Sequence, residues 1–279
     1  MDGTPAVVTP NGFVVPVLGG EEGAWLVKTP CSNEVEVDGQ PIEGAHVVLD
    51  PGHGGSETGA IGPNGVSEED VNLDVSLRVK RLLEQRGAVV VLTRSTDVRV
   101  TIDMRASLAV ALQPLAFVSV HHNAGAVRKQ SMPGSETYHH LEDPESKRLA
   151  GLIFEELIDK LSPYGTDWVV GGDAGAHGRR SLNDGDDFYG ILRRTQGVPG
   201  VLSESAYLSN PFEERLLATE QFRESEATAI ATAIIRFVTT DDPGSGFIPA
   251  LESESDPGSS VVTNRMLSLI HISEPTRPY

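Results

Sequence analysis

Between residues 44 and 239 the chain switches repeatedly between two hydrophobic periods, and that alternation limits the folds open to it. Short apolar runs of strand length stand at 47–50, 88–93, 116–121, 134–141 and 201–203. Between them apolar side chains fall at helical spacing. Val71, Val75, Val79, Leu82 and Leu83 follow Ser67-Glu68-Glu69-Asp70, which has the Ser-x-x-acid form of a capping box, and Gly87 marks the end. Residues 102–112 predict a short helix. Residues 146–161, with Leu149, Leu152, Ile153, Leu157 and Leu161 on one face, predict a longer one, and 222–238, with Ile230, Ile234 and Phe237, another. Residues 165–186 are rich in Gly and Asp and read as a loop. Strands alternating with helices predict an α/β fold: a twisted, largely parallel central sheet flanked by helices on both faces.

The flanks differ from this middle. Residues 1–43 carry short extended runs such as Val7-Val8, Trp25-Leu26-Val27 and Val35-Glu36-Val37, separated by Pro10-Asn11-Gly12 and Gly19-Gly20. They read as a short β-rich segment, either a remnant of an SH3-like module or a lead-in packed on the main domain. Residues 240–266 are a Pro/Gly/Ser/acid stretch expected to be a disordered linker. Residues 267–279 are set aside as non-native: Leu267 to Arg277 spells the translation of a transposase-type sequencing adapter, so His271 belongs to no ligand set. Their deletion is expected to leave the fold intact. Met1-Asp2-Gly3-Thr4-Pro5 lacks the charged and apolar regions of a secretory signal. No apolar stretch reaches the roughly 18 residues of a membrane span.

Charge narrows the partners. At a net charge of −18 the chain repels phosphate, and no basic run overrides that average, so nucleic acid is not an expected partner. Cys31 is the only cysteine, which excludes an internal disulfide and a cysteine-based zinc site. Gly52-His53-Gly54-Gly55-Ser56-Glu57 has Glu57 where a dinucleotide fingerprint needs its third glycine, and no Gly-Lys-Ser/Thr follows.

Two histidines and two glutamates remain as the chemical signal. His53 and His121 each stand just past a predicted strand, Glu204 just past another, and Glu68 at the start of a helix. In open α/β sheets such positions converge at the carboxyl ends of the strands. Two imidazoles and one carboxylate are the usual protein share of a catalytic zinc site, and a second carboxylate serves as proton carrier. Glu69 rivals Glu68 as the ligand, and His122 rivals His121 in a slipped register. Alternation along a strand lets only one of His121 and His122 face a metal. His46 reads as structural, His139 and His140 as partly exposed strand residues, and His177 as a loop residue that could touch substrate.

The ordered set of motifs from Ala45 to Val238 resembles the zinc-dependent N-acetylmuramoyl-L-alanine amidases of the amidase-3 type, bacterial cell-wall hydrolases. The segments that carry the resemblance are Val48-Leu49-Asp50-Pro51-Gly52-His53-Gly54-Gly55, Gly59-Ala60-Ile61-Gly62, Glu68-Glu69-Asp70-Val71-Asn72-Leu73, Leu92-Thr93-Arg94 with Asp97 and Arg105, Phe117 to Ala124, Gly134-Ser135-Glu136-Thr137-Tyr138, and Val201-Leu202-Ser203-Glu204 with Leu208-Ser209-Asn210-Pro211. The resemblance implies that His53, Glu68 and His121 bind Zn2+ and that Glu204 is the catalytic carboxylate. It implies cleavage of the amide between N-acetylmuramic acid and L-alanine in peptidoglycan or muropeptides, by a monomer in the cell envelope or outside the cell. Two departures concern the substrate groove: His122 stands where alanine is usual, and Ser205-Ala206 where a Gly-Phe-like pair is common. No long helix beyond 146–161 is expected between residue 141 and Glu204, so an autoinhibitory helix is not expected. The alternatives are a non-catalytic peptidoglycan-binding regulator on the same fold, and a zinc peptidase or deacetylase acting on another wall bond.

Overall fold

Val47–Pro51 is buried at every position, as a strand must be when both faces of its sheet are covered. The computed structural model describes residues 4–124, 134–165, 168 and 174–254. The strands, in chain order, are β1 (Ala6–Val8), β2 (Val14–Glu21), β3 (Ala24–Lys28), β4 (Glu34–Val37), β5 (Gln40–Ile42), β6 (Val47–Pro51), β7 (Val90–Leu92), β8 (Ala116–Asn123), β9 (Glu136–His139), β10 (Gly175–His177), β11 (Arg179–Ser181), β12 (Gly200–Tyr207) and β13 (Leu251–Ser253). The helices are α1 (Glu68–Glu84), α2 (Ile102–Leu112), α3 (Pro144–Leu161), α4 (Gly190–Arg194), α5 (Pro211–Leu217) and α6 (Glu220–Thr239).

The central sheet has the order β10-β9-β12-β8-β6-β7. Every neighbouring pair is parallel except β9 with β12, so the sheet is mixed and largely parallel, as expected. Strand alternation divides the core in two. Val47, Leu49, Val118, Val120 and Val201 face one way, into a cluster with α1, α3 and α6. Val48, Phe117 and Leu202 face the other way, with Met104 and Leu108 of α2 and Ile191 of α4. Leu152 of α3 and Ile234 of α6 are fully buried in the first cluster. Leu152→Ala should destabilise the fold by about 2–5 kcal/mol, read by urea unfolding, because it leaves a cavity at a helix–helix contact.

The amino-terminal segment is a five-stranded antiparallel sheet, β4-β3-β2-β1-β5. Its Trp25 and Val27 enter the second core cluster beside Met104. The Lys28 ammonium lies 2.8 Å from Asp103, and the Thr101 amide donates to the Pro30 carbonyl. This segment is therefore packed on α2.

Three local expectations need correction. Ser67 is the residue before α1, but its side chain caps nothing. The Ala60 and Thr58 carbonyls accept from the Glu68 and Glu69 amides instead, so the preceding loop does the capping. Residues 165–186 are not one loop, since β10 and β11 lie within them. The described part of the 240–266 stretch is not disordered. The Ala176 amide donates to the Gly246 carbonyl, the Ile248 amide donates back to the Ala176 carbonyl, and β13 pairs in parallel with β11. Backbone pairing to the open sheet edge orders it, which an apolar count does not detect. The 255–266 part of that stretch and the 267–279 tail lie outside the described residues.

Candidate active site

The loop after β6 is held by two buried arginines. Arg94 donates to the carbonyls of Pro51, Gly52 and Glu69, and Arg105 to those of Pro51 and His53. Asp50 anchors the arrangement, accepting from Arg105 (2.7 Å), Thr93 (2.6 Å) and Ser119 (2.7 Å). Burial alone would raise the Asp50 carboxyl, but the Arg105 guanidinium and these hydrogen bonds hold it below its usual value. The clamp keeps His53 at φ 61, the left-handed region that a side chain rarely adopts. His121 points from β8 to the same side, and Glu68 is the first residue of α1.

These three residues meet. One ligand atom from each of His53, Glu68 and His121 lies within 4.8 Å of the others. His53 Nε2 is 3.2 Å and His121 Nδ1 3.1 Å from Glu68 Oε1, and the two rings stand edge to face at 4.9 Å. Two glycines make the room. A Cβ on Gly52 would fall on the His121 ring, and one on Gly59, at φ 68, on Glu68 and His53. Glu68 Oε2 accepts from the Ala60 amide at 2.8 Å, which fixes the carboxylate from behind. Burial would raise Glu68, but hydrogen bonds from His121 and then His53 hold it well below the usual range. Burial lowers His121, which favours the neutral ring that a metal needs. Two imidazoles and one buried carboxylate, converging with glycine on two sides, fit a divalent metal of the zinc type.

Glu204 stands beside this set. It pairs in register with His121 across β12 and β8, and with Glu136 across β12 and β9. The ladder then shifts register between Glu204 and Tyr207. Burial, then the nearby Glu68 and Glu136 charges, push the Glu204 carboxyl well up, against the pull of Arg179. Glu136, not among the candidate site residues of the sequence, joins them here. It is buried and accepts from the hydroxyls of Tyr138 and Tyr207.

The rival residues lie elsewhere. His122 points into the opposite core, where its ring nitrogens contact Asn72 (2.7 Å) and Glu226 (3.1 Å). Glu69 is raised by burial and by Asp97, and is outside the ligand set. His46 accepts from the Val89 amide. His139 and His140 are buried rather than partly exposed, His139 against the His140 carbonyl and His140 3.4 Å from Asp187. His177 is on β10, fully buried, with its ring 4.5 Å from Tyr138. Between β9 and Glu204 the described residues hold one further α-helix after α3, the five-residue α4.

Two supports on α5 were illegible because Glu213 and Glu214 look like ordinary first-turn charges. Glu214 accepts from the amides of Asn64 and Val66 and so ties down the loop between His53 and Glu68. Glu213 is fully buried and accepts from the Tyr207 amide at 2.8 Å. Burial pushes its carboxyl up to about 8 from the ordinary 4.5. A raised acid binds its proton more tightly in the folded state. Its contribution is complete below about 4.5 and is lost as pH rises through about 8. Glu213→Gln should therefore flatten a decline in urea-unfolding stability between these values, and identical slopes in both proteins would contradict the assignment.

The sequence model of the Amidase_3 family, N-acetylmuramoyl-L-alanine amidase, matches residues 47–236. The uncharacterised protein YqiI of Bacillus subtilis is 35% identical over 214 residues, covering 76% of this chain and 92% of YqiI. The amidase LytC of the same organism is 30% identical over 213 residues, covering 76% of this chain but only 38% of LytC. The chain thus spans well under half of LytC. Among solved structures, the amidase AmiC2 of Nostoc punctiforme superposes with a TM-score of 0.59 at 28% identity, covering 69% of this chain and 96% of that one. The catalytic domain of the amidase CwlV from Bacillus (Paenibacillus) polymyxa gives 0.55 at 30%, covering 70% and 98%.

Proposed function

We propose, from the premise that this chain belongs to the Amidase_3 family of N-acetylmuramoyl-L-alanine amidases, that it hydrolyses the amide between N-acetylmuramic acid and L-alanine in bacterial peptidoglycan, with zinc bound. The observation that carries the reading is the convergence of His53, Glu68 and His121 on one point, with Glu204 as the register neighbour of His121. In this reading the three residues hold the ion. Bound there, zinc supplies Lewis acidity, polarising the scissile carbonyl and acidifying water.

The chain's own residues handle the proton. Glu204 takes it from the attacking water and delivers it to the alanine nitrogen as the C–N bond breaks, leaving a lactyl carboxylate and a free amine. Burial and the neighbouring carboxylates raise the proton affinity of Glu204, which lets it hold the proton between those two steps. The buried Arg94–Arg105–Asp50 clamp and the Glu214 tie keep the loop around His53 from relaxing when the site is empty of substrate. A peptidoglycan substrate places the working protein in the envelope or outside the cell.

Mass spectrometry of purified muropeptides after incubation tests the bond assignment. Cleavage at the lactyl–alanine amide yields an intact stem peptide with a free alanine amino terminus and a peptide-free disaccharide. Products cut within the stem, or only deacetylated sugars, would replace this reading with a peptidase or a deacetylase.

A further inference from the structure

The guanidinium of Arg179 is fixed in place with one end left open. Its Nε donates to Ser253 Oγ at 2.9 Å, its Nη1 donates to the Tyr189 hydroxyl at 3.1 Å, and its plane lies 4.1 Å from the Phe188 ring centroid. Nη2 has no hydrogen-bond partner among the described residues, and the side chain is only half-buried. A guanidinium offers five donors in a rigid fork, so two tethers leave three N–H groups, two of them on Nη2.

Its place in the fold sets what lies near it. The Tyr189 ring lies 4.7 Å from the Tyr138 ring, and the Tyr138 hydroxyl donates to Glu136. Glu136 is the register partner of Glu204, which is the register partner of His121. His121, Glu204 and Glu136 thus form a row over three adjacent strands, roughly 10 Å of sheet at about 4.8 Å per strand. Two residues of extended peptide span about 7 Å. Arg179 follows β10, the strand beyond β9 whose Gly175 is the register partner of Glu136, and its charge acts on both Glu204 and Glu136, so a peptide leaving from the Glu204 end of that row is carried toward it. Among the described residues, the charges that act on Glu204 are the carboxylates Glu68 and Glu136 and one cation, Arg179.

We propose that Arg179 binds a carboxylate on the peptide side of the scissile bond, one residue beyond the L-alanine. The assignment rests on the amidase reading above. A carboxylate matches the planar fork, whereas a neutral amide meets only one of its donors. Ser253 then gives the β11–β13 pairing a role, because it holds one of the two tethers.

The test uses two muropeptides that differ only in the residue after L-alanine, one with a free main-chain carboxylate and one with a carboxamide there. A hydrogen-bonded charge pair predicts a wild-type kcat/KM preference for the carboxylate of roughly 10–150-fold. Arg179→Gln should bring the ratio near one, and Ser253→Ala, which loosens the fork without removing it, should give an intermediate ratio. If Arg179→Gln does not fold, the Ser253→Ala ratio decides alone. An unchanged ratio overturns the proposal. So does an equal loss on both substrates, since Arg179 would then act through Glu204 rather than on the peptide. Wild-type protein that cleaves neither substrate overturns the amidase reading itself, and this assignment with it.

Discussion

Glu204→Gln should lower kcat on muropeptides by about 10²–10⁴, the usual worth of general acid–base catalysis, while metal content stays at the wild-type level. The substitution keeps the shape of the side chain and removes its proton chemistry. Glu204 contributes no atom to the cluster formed by His53, Glu68 and His121, so metal binding has no reason to change. Folding should not suffer, because the wild-type carboxyl is already pushed well up by burial and by the charges of Glu68 and Glu136, and a neutral amide relieves that strain. The variant should unfold at a urea concentration equal to or above that of the wild type. Hydrolysis at the wild-type rate would remove Glu204 from the mechanism.

His53→Ala should abolish metal binding and activity together. Loss of a group that merely orients a ligand weakens metal affinity about 10–100-fold, and loss of a ligand itself should exceed that. The backbone needs a second variant. His53 sits at φ 61, and alanine there carries the left-handed penalty of roughly 1–2 kcal/mol. His53→Gly removes the imidazole without that strain. Both variants should lack metal by elemental analysis, and His53→Gly should keep the unfolding midpoint of the chelator-stripped wild type. A variant that retains metal and activity would show that His53 is not a ligand.

Much of this was legible in the sequence because it depends on local pattern. The period switch between Val47–Leu49 and Val71–Leu83 reports a buried strand and an amphipathic helix whatever lies around them. Alternation along β8 separates His121 from His122 without further information, since adjacent side chains leave opposite faces. What stayed hidden depends on partners distant in the chain. Glu136 reads as a strand residue until β9 is set antiparallel against β12. Glu214 reads as a helix-start charge until the Asn64 amide is found on it. Residues 240–254 read as a linker because their order comes from backbone bonds to β10 and β11, which composition does not record.

In the proposed reading, the His53–Glu68–His121 cluster holds a zinc ion on which amide hydrolysis depends. Zinc titration of chelator-stripped protein, following bound metal and new alanine amino termini in the same samples, tests it most directly. Both signals should rise together and break at about one zinc per chain, the stoichiometry of a three-ligand catalytic site. Full activity in the stripped protein, or zinc bound at that stoichiometry with no amide cleaved, would contradict the account.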